Sequence, residues 1–182
     1  LEERVLPGGA ACIRISHFSE QTVAHLRLAL ASLTSRHVLE RGLVLDLRGN
    51  SGGSMIQAAH SADLFLVKGR LLRTVGRDGA AVSDLVREMV ARDEGTEPPV
   101  PLVVLTDRHS ASASEILAGS LVLLDRAVIL GERTFGKGTV QKIFILRPDV
   151  RLKLTVAEYR LANDRSVADD GLAPDVPTGR VV

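Results

Sequence analysis

The chain has 182 residues, 45% hydrophobic and 25% charged, with a net charge of +1. That composition fits one globular domain with enough apolar surface to build a core without staples. Aromatic residues make up 3% and no basic block stands out, which leaves a stacking platform for nucleic acid, or a charged membrane face, without support. Cys12 is the only cysteine; it sits in an apolar run and reads as a small core residue. No stretch of about 18 apolar residues is present. Leu1-Glu2-Glu3-Arg4 does not read as a signal peptide, and without an initiator Met the chain is expected to be an excised or processed fragment.

In chain order, Ala10–Ser16 is a short apolar strand. Ser19–His37 carries Val23, Leu26, Leu28, Leu30 and Leu33 among polar residues and reads as a helix. Gly42–Leu47 is nearly continuous in apolar residues, the pattern of a strand covered on both faces. A glycine-rich loop, Gly49–Gly53, leads into a helix over Ser54–Leu66, and Leu71–Val75 follows as a strand. Val82–Asp93 is a helix candidate, and the proline-containing Glu94–Pro101 a loop. Leu102–Thr106 is a second buried strand, Ser112–Asp125 a helix and Ala127–Leu130 a short strand. Thr139–Leu146 and Arg151–Tyr159 form a hairpin around Pro148-Asp149, before a polar tail over Asn163–Val182. Strands alternating with helices indicate a layered α/β fold with a mostly parallel sheet, flanking helices and a C-terminal β-hairpin. Function in such sheets collects beyond the carboxyl ends of the strands.

Two loops there are unusual, Arg48–Gly53 and Asp107–Ser112, and Gly131–Gly138 is a further element of interest. Asp107–Glu115 (Asp-Arg-His-Ser-Ala-Ser-Ala-Ser-Glu) joins a buried strand to a helix. A serine at such a turn projects from the sheet edge, and the helix N-terminus supplies free N–H groups and positive potential. That suits an acyl-transfer nucleophile. The same residues also match a capping box, Ser112-Ala-Ser-Glu115, and the residues alone leave open which of three alternating serines would act. In Gly131–Gly138 (Gly-Glu-Arg-Thr-Phe-Gly-Lys-Gly), Lys137 stands between glycines; it is a general base if poorly solvated and neutral, and otherwise a solvated loop lysine. The segment nearly fits a phosphate loop, but Gly138 replaces the Ser/Thr that would hold magnesium, and a strand follows. Finally, Asp46–Gly53 (Asp-Leu-Arg-Gly-Asn-Ser-Gly-Gly) could offer bare N–H groups, or could serve as a plain connection with an N-cap at Ser54.

Together these pieces resemble the C-terminal processing (tail-specific) serine peptidases. The family run L-D-L-R-x-N-x-G-G is matched by Leu45–Gly53, S-A-S-A-S-E by Ser110–Glu115, and G-x-x-T-F-G-K-G-x-V-Q by Gly131–Gln141. The flanks, Val5–Ser19, Leu152–Ala157 and Gly171–Val176, are similar as well, so the resemblance runs nearly end to end. It implies a ClpP/crotonase-like core over residues 1–182, with Ser112 as nucleophile, Lys137 as base and Gln141 orienting the lysine. It implies an oxyanion hole from the N–H of Ala113 and one from Gly53 or Gly52, Gly53 being favoured. In an extended strand Lys137 and Gln141 would stand about 13 Å apart, so the chain must turn between them, which Gly138 permits.

The resemblance further implies no metal and no cofactor, and substrates that are proteins or peptides with apolar C-termini. It places a PDZ domain ahead of the core in a longer parent, binding a free C-terminus by strand addition. It suggests export, to the periplasm in a bacterium, and is compatible with a homo-oligomer and with an adaptor protein that delivers substrates. Two rival readings use the same residues. A Ser-His-Asp hydrolase could draw on His109, His60 and Asp107, although no G-x-S-x-G elbow is present. A non-catalytic binding module on this fold would be free to lose Ser112, Lys137 or Gln141, and all three are retained.

Overall fold

A computed structural model describes residues 1–76, 87–94, 97–168 and 170–178. Its elements are Glu2–Val5 (β1), Ala11–Arg14 (β2), Thr22–Ser35 (α1), Leu43–Asp46 (β3), Met55–Asp63 (α2), Arg70–Gly76 (β4) and Glu88–Val90 (β5). Leu102–Thr106 (β6), Ala113–Leu123 (α3), Val128–Gly131 (β7), Thr139–Arg147 (β8), Val150–Arg160 (β9) and Val176–Pro177 (β10) complete them.

The continuous apolar runs form the middle of a six-stranded sheet ordered β1-β2-β3-β6-β7-β10. β2, β3, β6, β7 and β10 run parallel, and β1 pairs antiparallel with β2 at the edge. Leu43 sits opposite Leu102 and Leu45 opposite Val104, all buried. Each such side chain contributes about 1.5–3 kcal/mol by leaving water.

α1 buries Thr22, Leu26, Ala29 and Leu33 along one stripe and leaves Leu28 exposed. α2 starts at the expected cap: the Ser54 hydroxyl accepts from the Gln57 N–H at 3.4 Å. α3 is buried at every position from Ala113 to Leu121, and its polar Ser114, Glu115 and Ser120 are buried with hydrogen-bond partners. It packs against α2, β4 and β7.

β4, β5, β8 and β9 form a second, antiparallel sheet ordered β5-β4-β9-β8. The mostly parallel arrangement therefore describes the first sheet. The hairpin turns at Pro148-Asp149 as expected. Val82–Asp93 departs from the helix expectation. Residues 82–86 lie outside the described ones, and Glu88–Val90 is a strand paired to β4. Pairing with a neighbouring strand overrides a weak local helix pattern.

Candidate active site

β6 ends at Thr106, and Asp107 shapes the turn that follows. Its carboxylate accepts the N–H of His109 at 2.9 Å and of Ser110 at 3.0 Å, and that of Gly49 from the neighbouring loop at 3.0 Å. The three serines then part company. Ser110 is buried, and its hydroxyl donates to the Leu47 carbonyl at 2.9 Å. Ser114 is buried and donates to the Asn50 carbonyl at 2.8 Å. Ser112 is half-buried and lines a cleft. Geometry thus separates three residues that the sequence pattern left equivalent.

Ser112 holds φ 55°, ψ −111°. Left-handed backbone at a non-glycine residue costs about 1–3 kcal/mol, and it lifts this side chain out of the strand-to-helix turn. Glu115 holds the turn in place. Fully buried, its carboxylate accepts from the Ser112 N–H at 2.8 Å, the Thr134 hydroxyl at 2.6 Å, the Gly136 N–H at 2.8 Å and the Lys137 N–H at 2.9 Å. The Ser112/Glu115 capping pair is present, and its carboxylate also ties the serine turn to the lysine loop. Such hydrogen bonds replace the water a buried carboxylate gives up.

Tyr159, from β9, closes the junction from below. Its buried hydroxyl meets the Lys137 carbonyl at 2.6 Å and the Ser112 carbonyl at 3.2 Å. Burial, together with the negative charge of Glu115, pushes the phenol well above its ordinary value. The Lys137 amine is half-buried and forms no ion pair among the described residues.

On the opposite wall, Gly52 and Gly53 have φ +117° and +139°. A side chain on Gly53 would collide with the Phe18 carbonyl, and a Cβ on Gly52 would stand 2.9 Å from that of Ser112 and 3.2 Å from the Ala113 nitrogen. Glycine is required here by both backbone angle and space. The Gly52 N–H is taken by the Asn50 Oδ1 at 2.9 Å. The N–H groups of Ala113 and Gly53 make no hydrogen bond among the described residues. Asn50, fully buried, also donates its Nδ2 to the Ile15 carbonyl at 2.8 Å.

A cleft of about 230 Å³ gathers these groups: Ser112, Lys137, Gln141 and Gly53 line it, with Met55, Ile116 and Val140 supplying apolar wall. Lys137 and Gln141 share it because Lys137 precedes β8, and the β8–β9 register shifts between Val140 and Gln141. An extra residue on one strand bends the ladder. None of the five histidines lines the cleft. His109 is exposed and contacts Arg108 at 3.4 Å, and Asp107 is spent on backbone N–H groups. His60 is exposed on α2. His17 comes against Gly53 from the Phe18 side. Among the described residues no group of three His, Cys, Asp or Glu side chains is arranged to hold a metal ion.

Glu115, Tyr159 and Asn50 were not singled out from the sequence as site residues. Glu115 carried a signal, three positions after Ser112, but that signal reads equally as a cap. Nothing local marks Tyr159 or Asn50, whose partners lie 47, 22 and 35 residues away.

Comparison with known proteins finds relatives along most of the chain. The chain is 37% identical over 171 residues to the carboxy-terminal-processing protease of Bartonella bacilliformis, covering 93% of the chain and 38% of that protein. It is 35% identical over 164 residues to the carboxy-terminal processing protease of Bacillus subtilis, covering 90% of the chain and 34% of that protein. The solved photosystem II D1 C-terminal processing protease superposes with a TM-score of 0.82 at 34% identity, over 96% of this chain and 45% of that one. The chain thus spans little more than a third of the length of these curated relatives. The model of peptidase family S41 matches residues 9–178, nearly the whole sequence, and the chain belongs to that family.

Proposed function

We propose that the chain is the catalytic core of a carboxyl-terminal processing serine peptidase working through Ser112 and Lys137. The observation that carries the reading is the sorting of the three serines. Ser110 and Ser114 are committed to backbone carbonyls, while Ser112 shares a cleft with Lys137, Gln141 and Gly53.

Neutral Lys137 accepts the Ser112 proton as Oγ attacks a peptide carbonyl. The uncommitted N–H groups of Ala113 and Gly53 receive the oxyanion; Gly52 is not a donor, since its N–H serves Asn50. Lys137 then protonates the leaving amine, and water releases the acyl group from Ser112. Gln141 orients the lysine amine from the start of the hairpin. The apolar wall of Met55, Ile116 and Val140 suits substrates with apolar residues near their C-termini. An exported setting, periplasmic in a bacterium, a PDZ domain in the longer parent, delivery by an adaptor and assembly into a homo-oligomer belong to the same reading and rest on the family alone.

The test is cleavage of an unfolded protein with an apolar C-terminus by the parent, Ser112→Ala and Lys137→Ala, with folding checked by circular dichroism. The expected result is a loss of at least a thousandfold in both folded variants. Near-parental cleavage by Lys137→Ala would remove the Ser–Lys assignment. A folded parent that never cuts would move the binding-module reading forward.

A further inference from the structure

β8 and β9 leave the cleft as a two-stranded arm, and the two faces of that arm differ. Cross-strand register places Gln141 opposite Thr155, Ile143 opposite Lys153 and Ile145 opposite Arg151. Side chains alternate along a strand, so these six share one face of the arm, from which Gln141 and Lys153 line the cleft. The other face carries Phe144, Leu152 and Leu154.

Lys153 lines the same cleft as Ser112 and Lys137, and among the described residues no acidic side chain lines it. Lys153 and Arg151 are exposed, and their side chains make no ion pair or hydrogen bond among the described residues. Beside the two cations stand Ile143 and Ile145, 56% and 72% exposed. An extended segment lying along this face would have isoleucines along one edge, on β8, and cations along the other, on β9.

We propose that Lys153, supported farther out by Arg151, is a specificity residue that reads a carboxylate on the substrate while the scissile bond lies at Ser112. This deepens the peptidase reading and rests on it. Lys153 stands six residues before Tyr159 on one strand, about 20 Å of extended chain, shortened by the lysine's flexible stem. The carboxylate therefore lies a few residues from the cleaved bond, not at it. Two sources share the chemistry: an Asp or Glu side chain, or the α-carboxylate of a substrate's own C-terminus.

The experiment has a binding arm and a cleavage arm. In the first, the full chain carrying Ser112→Ala is titrated with a fluorescent apolar peptide in which one Asp is walked through five positions on either side of the central residue. Amidated and free-acid C-termini are compared. Tighter binding by about threefold at one Asp position, weakened by added salt and abolished by adding Lys153→Gln, is expected if a side chain is read. If the terminus is read, the free acid binds better than the amide, and Lys153→Gln removes that difference. Adding Lys153→Glu inverts either preference. Equal preferences with and without Lys153, or no preference anywhere in the walk, overturn the proposal. In the second arm the parent and Lys153→Gln cut the same peptides, read as the ratio of acidic to neutral kcat/KM within each protein. A carboxylate preference in binding alongside a parent that never cuts would sink the peptidase reading while leaving Lys153 as a carboxylate reader. Cleavage with no Lys153-dependent ratio would do the reverse.

Discussion

At the scale of single residues, Tyr159 is the most exacting test of how the site is held. It is the only tyrosine, and there is no tryptophan, so tyrosinate absorbance reports this one phenol. Burial and the charge of Glu115 raise its ionisation in the folded protein. A group whose native value is raised adds stability that is complete below its unfolded value, about 10, and is lost as pH climbs toward the native one. The absorbance titration is therefore expected to lag in the folded protein and to shift to about 10 in denaturant. Tyr159→Phe should flatten the alkaline fall of the urea midpoint. It should also cost about 1–3 kcal/mol at neutral pH, because the Lys137 carbonyl loses its donor. An ordinary phenol titration in the native protein would contradict the buried geometry.

At the scale of elements, the turn from β6 into α3 stores strain at one position. Ser112→Ala keeps the left-handed backbone and its cost, whereas glycine adopts φ 55° freely. Ser112→Gly is expected to be more stable than Ser112→Ala by about 1 kcal/mol, read as a later urea midpoint. Equal midpoints would mean the turn is unstrained. This scale also shows what was legible in the sequence. β3 and β6 were readable because strands in the middle of a covered sheet carry nearly continuous apolar runs, and α3 because apolar residues follow the Ser112–Glu115 cap. β1 was not: its Glu2-Glu3-Arg4-Val5 is exposed throughout and held by backbone pairing to β2, which leaves no periodic trace. β10, two residues long, is likewise backbone-made. β5 pairs with β4 against its local pattern. In the site, the serine and lysine loops stood out by spacing. The choice among Ser110, Ser112 and Ser114 did not, because it depends on carbonyls of Leu47 and Asn50 more than 60 residues away.

At the scale of the whole molecule, Asp46 joins the centre of the first sheet to the loops around it. Burial opposes its ionisation. Arg48, bonding at 2.9 and 2.7 Å through its guanidinium and at 3.1 Å through its N–H, with the charge of Arg14, nevertheless holds the carboxyl below its usual range. A lowered native value gives stability that is whole above about 3.9 and fades as pH falls below that toward the native value. Asp46→Asn is expected to flatten this acid limb. At neutral pH it should cost about 1.5 kcal/mol, the low end for charged hydrogen bonds, because Arg48 is half in solvent. Urea midpoints measured between pH 2 and 7 check both; an unchanged acid limb would place the acid sensitivity elsewhere. Glu115 has a different consequence. One carboxylate anchors the loops of both Ser112 and Lys137, and those loops enter the chain on either side of α3 and β7. The two loops are therefore expected to settle together, so on the proposed peptidase reading a partly folded chain would carry no half-made cutting edge. On that reading the clamp would serve as a safety catch, released only when the fold is complete.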